Sequence, residues 1–307
     1  MTFPIVTVSP DSSTQLEQLG TKAKFWYQFD ENPKALFKAG RPGTGENWSE
    51  KICCELARLL GLPHAEYELA LWRGTKGVIS PSLVPKNGRL ILGNELLAKV
   101  DTSYETAARY KTTQHILRRV IAVLQQSTIV IGTPTGWVCP PQVSDAVGVF
   151  AGYLLLDALV CNQDRHHENW GLIATPENGL TLAPTFDHAS SLGRNETDAT
   201  RKNRLNTRDK GYSVEKYVEK ALSGFFENKS STKAMSTVEA FHDCAKANVR
   251  AGQYWLDRLY ALKDSDFSDI LSSIPGEFIS PEARDFANAM LRINRNRLLS
   301  LNGTWHT

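Results

Sequence analysis

The chain is 307 residues long, 41% hydrophobic and 22% charged. That is the profile of a globular protein with a sizeable core and room for one large domain or two lobes of about 100–200 residues. A formal net charge of +2 supplies no global field to draw in nucleic acid or a membrane, and with no recognition motif direct nucleic-acid binding is not expected. Five cysteines (Cys53, Cys54, Cys139, Cys161 and Cys244), odd in number and without a C-x-x-C pair, argue for reduced thiols in a cytoplasm rather than a disulfide framework or a zinc site.

Met1 to Ser13 carry neither a basic start nor an apolar run of the kind a secretion signal needs. Up to about residue 95, short β-rich runs alternate with turn residues. Lys24–Phe29 and Lys34–Lys38 flank Asp30-Glu-Asn-Pro33 and read as a hairpin. The loop Gly40–Gly45 leads to a helix over about Ser49–Leu60, with Ile52, Cys53, Leu56, Leu59 and Leu60 on one face. Gly61 stands where a left-handed cap belongs, and Pro63 prevents continuation. Strands are expected at Ala65–Trp72, Gly77–Val84 and Arg89–Leu92.

After about residue 102 the text becomes helical. Ile116, Leu117, Val120, Ile121 and Leu124 set a helical period within Tyr104–Gln126, and Ser144 caps an apolar helix running to Cys161. The apolar run Val147–Cys161 is interrupted by Asp157 and falls short of the roughly 20 residues of a membrane span. A strand is expected at Gly171–Ala174, then a polar stretch after Asp187, then helices near 213–223, 236–262, 266–273 and 281–301. The whole reads as an α+β, protein-kinase-like two-lobed fold, with a β-rich nucleotide-binding lobe over residues 1–100 and a helical catalytic lobe over 101–307.

The most informative segment lies between Asn162 and Asp187. It reads N-Q-D-R-H-H-E-N, then a strand-like run, then A-P-T-F-D-H. Asp164 is followed five positions later by Asn169 and, eighteen positions after that, by Asp187 behind an aromatic residue. Phosphoryl transfer needs an acceptor for the attacking hydroxyl's proton, metal ions against the phosphates, and a cation. Asp164 is the candidate base. Asn169 and Asp187 are the candidate Mg²⁺ ligands, offering the hard oxygens that ion prefers. Lys38, ending an Ala-Leu-Phe-Lys strand, is the candidate phosphate clamp, held by Glu50 on the following helix; Glu55 is the other carboxylate there. Gly20, Thr21 and Lys22 are the only candidate phosphate loop, without a G-x-G-x-x-G pattern. His166 is expected to orient the Asp164 loop, with Arg165 in a similar role. His166 and His167 near Cys161 do not fit a common zinc spacing. The basic stretch from Arg201 to Lys210 reads as a solvated loop, with docking of an acidic substrate or nucleic acid as the alternative.

With these residues in place, the chain resembles the HipA-like serine/threonine kinases of bacterial toxin–antitoxin systems. The resembling pieces are Ala35–Lys38, the helix ending Glu55–Pro63, the loop Asn162–Asn169, Ala183–Asp187, and Ile274–Ser280 with its Arg-rich helix. The resemblance implies a kinase-like fold, ATP and Mg²⁺ as cofactors, transfer to Ser or Thr hydroxyls of a protein such as a translation component, autophosphorylation and an antitoxin partner. The chain departs from the full-length toxin in lacking room for an extra N-terminal subdomain, so it reads as a short, core-only member. The Asp-Arg-His-x-x-Asn order is also similar to phosphatidylinositol kinases, which leaves a lipid or small-molecule acceptor open. A nucleotide-binding pseudokinase regulator is the non-enzymatic alternative, against which the intact Lys38, Asp164, Asn169 and Asp187 set counts.

Overall fold

A computed structural model describes residues 2–10, 15–17, 24–27, 34–108, 112–126 and 128–306. One six-stranded sheet is built from β1 (Ile5–Val8), β2 (Gln15–Glu17), β3 (Lys24–Tyr27), β4 (Ala35–Ala39), β5 (Glu68–Trp72) and β6 (Thr75–Pro81), in the order β1-β5-β6-β4-β3-β2. The β1–β5 pair is parallel and the others antiparallel. The expected hairpin pairs β3 with β4, Lys24 opposite Lys38; its turn lies outside the described residues. Because a strand has a period of two, Phe37 and Lys38 face opposite ways. Phe37 is buried in an aromatic cluster with Phe25 and Trp72, which turns Lys38 away from that cluster.

Helix α1 (Glu46–Leu60) starts one turn earlier than the sequence suggested. Its apolar face buries Ile52, Cys53, Leu56 and Leu60, each large aliphatic side chain contributing roughly 1.5–3 kcal/mol. Gly61 takes the expected left-handed cap (φ 78°), its N–H bonding back to the last turn.

A second sheet has the order β7-β9-β10-β8, from β7 (Arg89–Leu92), β8 (Ile131–Gly132), β9 (Gly171–Thr175) and β10 (Gly179–Leu182). β7 pairs antiparallel with β9, and α2 (Gly93–Val100) packs on α3 (Leu117–Leu124). Of the long helix expected over Tyr104–Gln126, the described residues 104–108 and 112–116 are not helical and α3 begins at Leu117, because only the stretch from Ile116 onward carries the apolar period.

Helix α4 (Ala146–Val160) is the hub of the remainder, buried along its whole length. Asp145 rather than Ser144 caps it, accepting from Gly148 N at 2.6 Å. Around it stand α7 (Thr237–Ala247), α8 (Val249–Ala261) and α10 (Pro281–Leu299), with α9 (Asp264–Ser273) packed on α10. The expected 236–262 helix is two, broken at Asn248, whose side chain accepts from Ala251 N and starts α8. α6 (Val214–Glu219) also packs on α10. The expected polar stretch after Asp187 contains α5 (Asp198–Asn206), capped by Thr197. No helix among the described residues is long and apolar enough to cross a membrane.

Candidate active site

The segment after α4 is fixed by a buried ionic network. Cys161 closes the helix in the left-handed region (φ 53°), and Asn162 folds back so that its N and Nδ2 donate to Asp157 O and Oδ1, both at 2.8 Å. Arg165, 1% exposed, spans the carboxylate of Asp157 through Nε (2.7 Å) and Nη2 (2.7 Å), and its Nη1 donates to Asn169 O at 2.8 Å. The Nη2 group also reaches Thr185 Oγ1 (3.0 Å) and His188 Nε2 (3.1 Å). His188 in turn donates its backbone N–H to Glu50 Oε1 at 2.7 Å. Asp157, Arg165, Thr185, His188 and Glu50 are each at most 3% exposed. The network therefore ties α4, the 162–169 loop, the segment after β10 and α1 into one unit, and bidentate guanidinium–carboxylate geometry sets its orientation. Gly224 lies against this loop so closely that a Cβ there would stand 2.4 Å from Arg165 O.

In front of the network the expected residues gather. Asn169, 5% exposed, donates Nδ2 to Asp164 O at 2.6 Å, which leaves its Oδ1 as the free end of the amide. Asp187 adopts φ 59°, a conformation few residues other than Gly, Asn and Asp accept, and its N–H donates to Tyr67 Oη at 3.3 Å. That turn sets Asp187 Oδ1 3.4 Å from Lys38 Nζ. Lys38 also stands over the Tyr67 ring, 5.5 Å from its centroid. Burial pushes the Lys38 ammonium down, but Asp187, Tyr67 and Glu50 together outweigh it, so the net shift is upward and the charge is locked on.

The expected Lys38–Glu50 ion pair is replaced by Lys38–Asp187. Glu50 is spent on the backbone N–H of His188, and its charge reaches Lys38 only through space. Glu55 is excluded from that role, being held by Lys51 and Arg58.

Asp164 accepts from Ser190 Oγ at 3.1 Å, and Ser190 accepts from Arg194 Nη2 at 3.0 Å. Arg194 also pairs with Glu46, the 3%-exposed first residue of α1, which accepts from the Arg41 backbone N–H at 3.0 Å. A hydrogen-bonded chain thus runs from Asp164 to the loop before α1. His166 Nδ1 accepts from Glu168 N at 3.1 Å, which leaves the ring proton on Nε2, 3.8 Å from Asp164 Oδ1. Burial raises the Asp164 carboxyl above its usual range, Asp187 adding to the rise while His166, Ser190 and Arg194 oppose it.

Gly20, Thr21 and Lys22 lie outside the described residues. Part of the basic 201–210 stretch is turned inward. Arg201 is buried, bonded to Asp198 and Gly193 O, and Arg204 pairs with Glu196 and stacks on Tyr212 and Tyr217. Sequence reasoning missed Asp157 as a network partner, together with His188, Ser190, Arg194 and Glu46. The charged Asp157 inside an apolar helix was the one visible signal, since a buried charge needs a partner.

The fold has known counterparts. The crystal structure of the Helicobacter pylori proinflammatory kinase CtkA matches with a TM-score of 0.69 at 18% identity, covering 97% of this chain and 99% of that one. The chain has a kinase fold. A chain from the Shewanella oneidensis MR-1 toxin–antitoxin complex of HipA, HipB and operator DNA matches with a TM-score of 0.51 at 11% identity. That match covers 93% of this chain and 64% of the other, so this chain spans under two thirds of that protein's length. No family model and no curated protein sequence matches the chain. The α+β, kinase-like architecture expected from the sequence is borne out by these structures and by the two-sheet, helix-rich arrangement itself.

Proposed function

We propose that the protein is an ATP- and Mg²⁺-dependent serine/threonine kinase of the HipA-like type. The observation that carries this is the meeting of four groups from three separate segments. Lys38 from β4 touches Asp187 beyond β10, while Asn169 is pinned to the Asp164 backbone and Asp164 feels the charge of Asp187. The donor set fits the cofactor: Asn169 Oδ1 and the Asp187 carboxylate are hard oxygens of the kind Mg²⁺ takes, and a permanently charged amine beside them suits phosphate. When bound, ATP supplies the γ-phosphoryl group and Mg²⁺ neutralises phosphate charge. Asn169 and Asp187 would hold the metal, and Lys38, now beside Asp187, would supply the positive charge for the phosphates. Asp164, whose carboxyl is raised by burial, accepts the proton of a Ser or Thr hydroxyl. Arg165, His166 and Ser190 keep that loop in place. In this reading residues 1–100 form the nucleotide-binding lobe and 101–307 the catalytic lobe, with β7 and α2, at the end of the first, joining β9 and α3 of the second.

Incubation of the purified chain with γ-labelled ATP and Mg²⁺, beside Asp164→Ala and Asp187→Ala, tests the reading. Label is expected on Ser or Thr of the chain itself or of added protein, and in neither variant. Label confined to lipid or nucleoside would assign a different kinase class. Tight nucleotide binding without transfer to any acceptor would make the chain a pseudokinase.

A further inference from the structure

A second cluster of ligating atoms lies where α1 meets the segment just beyond its C-terminal end. Cys54 Sγ, His64 Nε2 and the Glu66 carboxylate come within 4.8 Å of one another. Cys54 Sγ is 3.8 Å from Glu66 Oε2, and His64 Nε2 is 3.5 Å from Glu66 Oε1. Ligands on a tetrahedral Zn²⁺, with bonds of about 2.0–2.3 Å, stand roughly 3.3–3.6 Å apart. The two spacings to Glu66 are close to that, and the whole set falls within 4.8 Å, so a modest side-chain adjustment closes the site.

The imidazole is set up for this. His64 Nδ1 lies 2.7 Å from Leu62 O, a bond that puts the ring proton on Nδ1 and leaves the Nε2 lone pair facing the cluster. The His64 side chain is only 9% exposed, and its buried Nε2 has no hydrogen-bond partner. Unpartnered buried nitrogens are uncommon because they forgo a hydrogen bond that water would supply. A neutral ring is retained, since burial lowers the His64 pKa. A backbone carbonyl on the distal nitrogen is the usual support of a metal-bound histidine, and Arg58, bonded to Glu66 Oε2, supports the carboxylate in the same way. Glu66 is half exposed, which gives an ion a path from solvent and room for a water as fourth ligand.

The geometry points to a transition-metal site, Zn²⁺ being the natural occupant, formed by Cys54, His64 and Glu66. A thiolate, a carboxylate and a neutral imidazole give a site with no net charge when Zn²⁺ is bound. Zn²⁺ takes cysteine as the thiolate, so binding must expel the Cys54 proton to solvent. The cysteine spacing does not show the site, because its ligands are Cys54 and the isolated pair His64 and Glu66 rather than a C-x-x-C unit. Its place in the fold gives it a structural consequence. His64 bridges Thr185, with Ala65 N donating to Thr185 O at 2.9 Å and Thr185 N to Pro63 O at 3.0 Å. A metal here clamps α1 to the segment that braces the approach to Asp187. The site does not depend on the kinase reading.

Titration of the full chain with Zn²⁺ alone should give saturable one-to-one binding, release of one proton and a higher melting temperature. Co²⁺ in its place should give a thiolate-to-metal charge-transfer band, which ligation by Asn169 and Asp187 cannot produce. Cys54→Ser should abolish the band, and His64→Gln and Glu66→Gln should each weaken Zn²⁺ binding at least about 10-fold. If a buried variant fails to fold, the half-exposed Glu66→Gln decides. Absence of saturable binding, a missing Co²⁺ band in the parent, or affinity unchanged in the variants would overturn the assignment.

Discussion

Two sets of charges stand back to back in this molecule and behave differently. Behind the site, Asp157 and Arg165 are 3% and 1% exposed, meet in a bidentate pair at 2.7 Å, and pass their remaining donors to Asn169 O, Thr185 and His188. In front, the Lys38 and Asp187 side chains are 25% and 42% exposed and meet at 3.4 Å, longer than the roughly 2.7–2.9 Å of a tight charge-assisted bond. The rear pair is tight, bidentate and closed to solvent, whereas the front pair is longer and partly open to it, within reach of a ligand. The same residue types thus sit in two settings a few residues apart, and burial and geometry make the difference.

That contrast can be broken by separating activity from stability. Asp187→Ala should lower phosphoryl transfer by about 10³-fold or more, several kcal/mol of transition-state stabilisation, while chemical denaturation shows little change. Arg165→Leu should act first on stability, costing about 3–5 kcal/mol in a urea denaturation because Asp157 is left buried and unpaired, and lower transfer only through the loosened loop. If both variants lost stability equally, front and rear would not be distinct.

Smaller effects sharpen the picture around Asp164. Ser190→Ala removes a hydrogen bond that holds the Asp164 carboxyl down, worth roughly 1 kcal/mol. The acid limb of the pH–rate profile should therefore move to higher pH, with kcat at alkaline pH nearly intact. Asp164→Asn should be inactive yet slightly more stable at neutral pH, by on the order of 0.5–1 kcal/mol. The sign follows from the raised native pKa: the protonated form is favoured on folding, so this group helps below its unfolded value of about 3.9 and that help is lost as pH rises through the native value. The gap between variant and parent should therefore close in acid, as thermal melts across pH would show.

Much of the site was legible because its signals are local. The Gly61 stop and the Arg89–Leu92 and Gly171 strands rest on short-range patterns and appear where expected, and spacing alone picked out Asp164, Asn169 and Asp187 as candidates. Partner choice was not legible. Lys38 and Glu50 are a sensible pair in sequence, but only the left-handed turn at Asp187 and the His188 backbone N–H decide which carboxylate the amine meets. α5 was hidden because Arg201 is its one buried residue, so no apolar stripe marks it; its capping Thr197 and its packing on α10 hold it instead. Residues 104–108 and 112–114 were overread for the opposite reason, an apolar period next door extended too far upstream.

The most direct test of the central claim is a crystal structure with Mg²⁺ and a non-hydrolysable ATP analogue. Asn169 Oδ1 and an Asp187 oxygen should lie about 2.0–2.1 Å from the metal, with Lys38 Nζ moved onto a phosphate oxygen and the Asp157–Arg165 pair unmoved. A triphosphate bound away from these side chains, or a metal ligated by neither, would contradict it.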